Sequence, residues 1–256
     1  MPININKINH YIECSKILKL NMKIDGPLLN ATFISRPNRF ITRVKINNNI
    51  FESHLADPGR LEELLIPGAK LYVREVRKNL YRRTKYSTVM VEHKGELISL
   101  VSTLPNVFFQ DLMRQKKLSI FKGYRIMKNE VVVKNHRIDF LLSNSKDNLF
   151  LEIKSVTFSK KKVAQFPDAI TERGKKHILL LTDMVKKGCK AGILFICQRS
   201  DVEMFKPKWD RDPEFCKALK NGQKAGLKVW CLSAKLTKNQ MIFSKELPIY
   251  MDRDEV

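Results

Sequence analysis

The chain has 256 residues, with 48 Lys and Arg against 26 Asp and Glu, a formal net charge of +22 and a pI near 9.9. At 43% hydrophobic residues, with only 10 Gly and 10 Pro, disordered, collagen-like and linker-like chains are excluded, and one large or two compact domains can form. Such an excess of positive charge attracts polyanions, nucleic acid first and anionic membrane second, with a general lysine bias as the plain alternative. Residues 1–110 hold 17 basic and 9 acidic side chains and residues 111–256 hold 31 and 17, so no detachable tail carries the charge.

In chain order, residues 29–34 alternate loosely as a strand, and 39–46 and 50–55 suggest a hairpin around a polar turn at 47–49. Asp57-Pro58-Gly59-Arg60 opens a short helix over 61–65, stopped by Pro67-Gly68. Strands follow at 70–76, 86–93 and 97–101, a set compatible with a small OB-like barrel among other arrangements. After Pro105 the spacing of Phe108 and Leu112 predicts a helix, and 130–158 reads as a hairpin. Residues 167–187 read as a helix with Asp168 or Thr171 at its cap and Gly188 past its end. A buried strand at 191–197, a helix at 213–222 and a strand at 228–232 complete an α/β second half. The expected division is residues 1–104 and 105–256.

The five cysteines (Cys14, Cys189, Cys197, Cys216 and Cys231) are odd in number and lack CxxC spacing, which argues against a disulfide framework or zinc site. No secretory signal pattern opens the sequence, and no apolar run approaches the roughly 20 residues of a membrane span. A reduced, cytoplasmic protein without a membrane partner is expected.

The sharpest chemistry lies on the hairpin. One arm reads Arg137-Ile138-Asp139-Phe140 and the other Leu151-Glu152-Ile153-Lys154-Ser155. Period-2 geometry points Glu152 and Lys154 the same way, and Asp139 joins them if the register allows. Two carboxylates together in an apolar sheet call for a cation. Mg²⁺, with Mn²⁺ as the alternative, suits one or two carboxylates plus substrate phosphate. Lys154 would orient a metal-bound water or stabilise charge on the phosphate. The competing reading is a solvated strand face.

The sequence resembles the SfsA (sugar fermentation stimulation) family from about Leu28 to Leu236. The resemblance rests on His54-Leu55-Ala56-Asp57-Pro58-Gly59-Arg60, Glu152-Ile153-Lys154-Ser155-Val156-Thr157 and, above all, Phe166-Pro167-Asp168-Ala169-Ile170-Thr171-Glu172-Arg173-Gly174-Lys175-Lys176-His177. It implies a mixed α/β protein, an OB-like β-barrel followed by a PD-(D/E)xK nuclease-like α/β domain, and DNA binding. Asp139 then matches the first acid of the nuclease motif, and Glu152 and Lys154 match its acid-x-Lys end. Ile138 stands where that superfamily often has Pro. Asp111 is the nearest candidate for a supporting acid on the first helix. Glu130 stands where the family tends to have an acid, against a salt bridge or edge charge.

On the helix after the hairpin, Glu172 and Lys176 are spaced for an i,i+4 pair, and Arg173 or Lys176 would approach phosphate, against a solvated face. His177 is expected to pack or hydrogen-bond rather than act as a base. In the first half Arg36, Arg39, Arg43, Arg60, Arg82, Arg83 and Lys85 are interleaved with Phe40, Tyr81 and Tyr86, a mixture suited to nucleic-acid backbones and bases. Arg137 joins this set. Core packing is the competing role for the aromatics, more so for Phe40 than for Tyr81 or Tyr86. Two other readings stand beside a Mg²⁺-dependent nuclease: a non-enzymatic DNA-binding module, and a regulator of sugar (maltose-type) metabolism. Oligomeric state stays open, a homodimer included.

Overall fold

The computed structural model describes residues 21–76, 83–116 and 118–253; Cys14, Tyr81 and Arg82 lie outside the described residues. After a short β1 (Asn21–Lys23), the chain forms β2 (Leu28–Asn38), β3 (Ile41–Ile46), β4 (Asn49–Leu55), β5 (Lys70–Glu75), β6 (Tyr86–His93) and β7 (Glu96–Ser99). These strands pair in the order β4-β3-β2-β5-β6-β7, and a parallel β4–β6 pairing closes β2 to β6 into a five-stranded barrel. Alternation sets the inside: in β3, Thr42, Val44 and Ile46 are buried while Arg43 and Lys45 face out. Asn47 and Asn48 both take positive φ, the backbone a tight β3–β4 hairpin demands.

The helix expected over 61–65 does not form. Leu61 adopts φ +54, and Leu64 N and Leu65 N both donate to Leu61 O, which makes one isolated turn. Leu61 and Leu64 are fully buried in the barrel core, and Leu61 N donates to Asp168 from the distant second half. Core filling and that long-range bond outweigh helix propensity.

The second half contains α1 (Leu104–Arg114), β8 (Arg125–Val133), β9 (His136–Ser143), β10 (Asn148–Val156), β11 (Ser159–Lys160), β12 (Val163–Phe166), α2 (Glu172–Lys186), β13 (Lys190–Cys197), β14 (Met204–Pro207), α3 (Pro213–Lys224), β15 (Lys228–Leu236) and β16 (Gln240–Glu246). Its main sheet runs β1-β16-β15-β13-β10-β9-β8, with β10, β13 and β15 parallel at the centre. The expected hairpin is therefore three antiparallel strands, because β8 joins its edge. On one face α1 buries Phe108, Phe109 and Leu112 against Phe140, Leu151, Leu194 and Leu232. On the other, α2 and α3 bury Ile178, Leu181, Phe215 and Leu219 against Ile193, Phe195 and Cys231.

Helix α2 starts at Glu172, five residues later than the sequence suggested. Thr171 caps it, its Oγ1 accepting from Gly174 N at 3.1 Å, while Asp168 is occupied with Leu61 N at 2.7 Å. Gly188 follows the helix at φ +88, as a terminating glycine should. The barrel and the sheet share apolar packing, since Tyr72, Val89 and Met90 belong to the same cluster as Phe108 and Leu232. Cys197 and Cys231 are buried free thiols with sulfurs 3.5 Å apart. Among the described residues, no helix is long and apolar enough to cross a membrane.

Candidate active site

The β9–β10 ladder runs in register up to Phe140 opposite Leu151 and stops there. One step further stand Asp139 and Glu152, and their side chains replace the missing ladder bonds. Asp139 Oδ2 accepts from Ile153 N at 2.7 Å, and Glu152 Oε2 accepts from Asp139 N at 3.4 Å. The opened seam would otherwise bury bare backbone donors, so the carboxylates satisfy the main chain as they enter the interior. Asp139 Oδ1 also accepts from Asn106 Nδ2 of α1 at 2.9 Å.

Glu152 is 3% exposed. Its Oε1 receives Lys154 Nζ and His177 Nδ1, each at 2.5 Å. Lys154 lies two residues along β10 on the same face, as strand alternation requires. His177 comes from α2, and the ring of His136 meets it edge-on at 5.7 Å. Burial alone would push the Glu152 carboxyl up, but Lys154 and His177 outweigh it and hold the group below its ordinary value. Asp139 moves the other way. Burial, then the charge of Glu152, push its carboxyl up to about 6, against the pull of Ile153 N–H, Lys154 and Asn106. The pair therefore joins one acid secured by Lys154 and His177 to a second acid held at a disadvantage.

The family model "Sugar fermentation stimulation protein RE domain" matches residues 103–240, and "SfsA N-terminal OB domain" matches residues 34–100. The chain is 36% identical over 233 residues to the sugar fermentation stimulation protein homolog of Alkaliphilus metalliredigens, covering 90% of this chain and all of the relative. The chain belongs to the SfsA family. The homolog from Clostridium tetani is 37% identical over 236 residues, covering 92% of this chain and all of that one. Among solved structures, that of Pyrococcus furiosus SfsA in complex with Ca²⁺ aligns with TM-score 0.84 and 30% identity, over 91% of this chain and 99% of that one. The SfsA architecture expected from the sequence, an OB-like barrel followed by an α/β part, is the one observed.

Within this SfsA-family chain, Asp139, Glu152 and Lys154 come together as expected, and several other candidates do not. Asp111 bonds Gln115 at 2.8 Å and lies 3.7 Å from Arg114; the α1 residue at the site is Asn106. Five residues at 100° each turn Asp111 about 140° around the helix from Asn106, which takes it away from the seam. Glu130 pairs with Arg137 at 3.3 Å on the exposed strand edge, both more than 60% exposed. Glu172, Arg173 and Lys176 are exposed on α2, and no Glu172–Lys176 ion pair forms among the described residues; Lys175 pairs with Glu214 instead. His177 was expected only to pack or hydrogen-bond, and nothing in the local sequence named Glu152, 25 residues away, as its partner.

The basic set also divides. Arg36 donates to the carbonyls of Gly59, Arg60, Arg39 and Asp57 at 2.6 to 3.3 Å, so its guanidinium braces the loop before Leu61. Arg43 and Arg60 form loose exposed pairs with Glu52 and Glu62, and Lys85 pairs with Glu75 at 3.1 Å. Arg39 lies over the Phe40 ring at 4.8 Å, and Arg83 is exposed. The aromatics exchange roles. Phe40 is 42% exposed, whereas Tyr86 is 5% exposed in the barrel core, with Phe51 against its ring at 5.1 Å. Arg36→Ala is accordingly expected to lower unfolding stability by about 2 kcal/mol in urea titration, because the part-buried carbonyls of Gly59 and Asp57 lose their donor and those of Arg60 and Arg39 lose an exposed one. Arg83→Ala should stay within about 0.5 kcal/mol of wild type.

Proposed function

We propose that this protein binds nucleic acid, DNA foremost, and hydrolyses phosphodiester bonds at Asp139, Glu152 and Lys154 with a divalent cation. The observation carrying this reading is the pair of carboxylates in the opened β9–β10 seam, with the Asp139 carboxyl pushed up to about 6 and a lysine at its side. A bound cation would relieve the repulsion between the two acids. Among the described residues no cluster of three or more His, Cys, Asp or Glu could hold a metal. Two carboxylates fit an ion that keeps its waters and takes substrate oxygens, as Mg²⁺ does, and Mn²⁺ accepts similar ligands. The Ca²⁺ in the Pyrococcus furiosus relative is a hard, oxygen-seeking cation and supports this class of ion.

When bound, such an ion supplies Lewis-acid polarisation of a phosphoryl oxygen and a more acidic water. The chain's own groups have separate tasks. Asp139 and Glu152 hold the ion, Asn106 orients Asp139, and His177 orients Glu152. Lys154, 13% exposed at its side chain, stabilises negative charge developing on the phosphate. Exposed basic residues such as Arg39, Arg60 and Arg83 add affinity with little sequence preference. In this reading residues 1–104 chiefly bind and residues 105–256 carry the chemistry.

A second reading, a non-enzymatic DNA-binding module, draws on the fact that all four carboxylate oxygens of the pair already accept a protein hydrogen bond. One assay separates the two. Single- and double-stranded oligonucleotides are incubated with wild type and Asp139→Asn in Mg²⁺, Mn²⁺ or EDTA. Cleavage by wild type alone, and only with metal, supports the enzyme. Salt-sensitive binding with no cleavage by either protein in any condition leaves the binding module.

A further inference from the structure

The β8–β9 turn and the outer side of α2 enclose an open groove. Two adjoining hollows of about 400 and 470 Å³ share Lys134, Asn135 and His136. One continues along α2 past Lys176 and Leu179, and the other reaches Arg137, Arg173 and His177. That second end lies one side chain from the carboxylates, because His177 is the residue bonded to Glu152 Oε1.

The lining mixes two chemistries. Lys134 pairs with Asp183 at 3.4 Å and Arg137 with Glu130 at 3.3 Å, all four substantially exposed. Exposed pairs of this kind contribute little and exchange readily for another anion. Arg173 and Lys176 are exposed and make no ion pair among the described residues. Beside these cations stand Val132, 68% exposed, and Leu179, 51% exposed.

We propose that this groove receives a single-stranded stretch of nucleic acid and leads its backbone to the carboxylate pair; the second half of the statement rests on reading that pair as a phosphodiesterase centre. A duplex keeps its base faces stacked inside, so it has nothing to lay on an apolar wall and gains little here over the basic surfaces elsewhere on the chain, leaving Val132 and Leu179 uncovered. An unstacked strand covers both, with phosphates on Arg173 and Lys176 and base faces on the apolar wall and the His136 ring.

The test is fluorescence anisotropy in EDTA, with a labelled 15-nucleotide DNA and the same sequence as a blunt duplex. Arg173→Glu/Lys176→Glu is compared with a control of equal charge on α3, Lys217→Glu/Lys224→Glu. The groove variant should weaken single-strand binding at least tenfold and duplex binding less than threefold, and the control should weaken single-strand binding less than twofold. For Arg173→Ala/Lys176→Ala, the slope of log affinity against log salt on the single strand should fall by about 1.4. Leu179→Ala should weaken the single strand alone, by about threefold. Equal losses on single strand and duplex, or equal losses for groove variant and control, would overturn the groove assignment. Absence of cleavage by wild type overturns the phosphodiesterase reading instead and leaves the anisotropy contrast to decide the groove.

Discussion

Asp139→Asn is expected to reduce metal-dependent phosphodiester cleavage by about 10³-fold while leaving the protein at least as stable as wild type. The two effects share one cause. The Asp139 carboxyl is largely but not fully buried beside Glu152 and pushed up to about 6, so at neutral pH the folded protein carries a charge it holds unfavourably. A rise of roughly two units corresponds to at most about 3 kcal/mol. The amide removes that charge and can still accept from Ile153 N, while Asn106 can turn its own amide over to accept in turn. A net increase of about 1–2 kcal/mol in unfolding free energy is expected at pH 8. Because the folded value lies above the ordinary one, the penalty in wild type is absent below about pH 4 and complete above about pH 6. The stability difference between variant and wild type should therefore grow through that window in urea titrations at a series of pH values. A variant markedly less stable than wild type at pH 8 would refute this account of the pair. Stability rising as activity disappears is the pattern of a site that carries strain for function.

Lys154→Met should have the opposite thermodynamic effect, a loss of about 3 kcal/mol at pH 8, together with lost cleavage. Glu152 is almost fully buried, and burial is offset chiefly by Lys154 and His177. Methionine fills the space of the lysine stem but leaves a buried carboxylate with one counter-ion fewer. Because the Glu152 carboxyl is held below its ordinary value, the stabilisation it draws from Lys154 is present above that ordinary value and is lost as pH falls through the folded one. The deficit of Lys154→Met should accordingly shrink in acid. The double variant Lys154→Met/Glu152→Gln should recover most of the lost stability, since it removes the stranded charge as well as its partner. No recovery would mean that Lys154 stabilises through packing alone.

Much of this architecture was legible in the sequence because it depends on local periodicity. Alternation in β3 named a barrel strand, and two-residue spacing put Glu152 beside Lys154. What escaped reading is what the chain assembles over distance. The ladder stops after Leu151, and no residue type announces that a strand pair will part there. Glu152 finds His177 across 25 residues, and Asp139 finds Asn106 across 33. Asp111 looked suitable by charge, but helical rotation turns it aside. Phe40 and Tyr86 exchanged roles because an aromatic ring beside basic residues reads the same whether it faces solvent or the core. The segment 61–65 has the composition of a helix, and its leucines were drawn into the barrel instead.

The apolar cluster joining Tyr72, Val89 and Met90 to Phe108 and Leu232 gives the chain one mechanical unit across the seam at which the two family models meet. A fragment starting near Leu104 would lose the barrel side of that cluster and expose a greasy face to its neighbours. Heating the intact chain should then give a single calorimetric peak, and the two halves should express well only when they are made together.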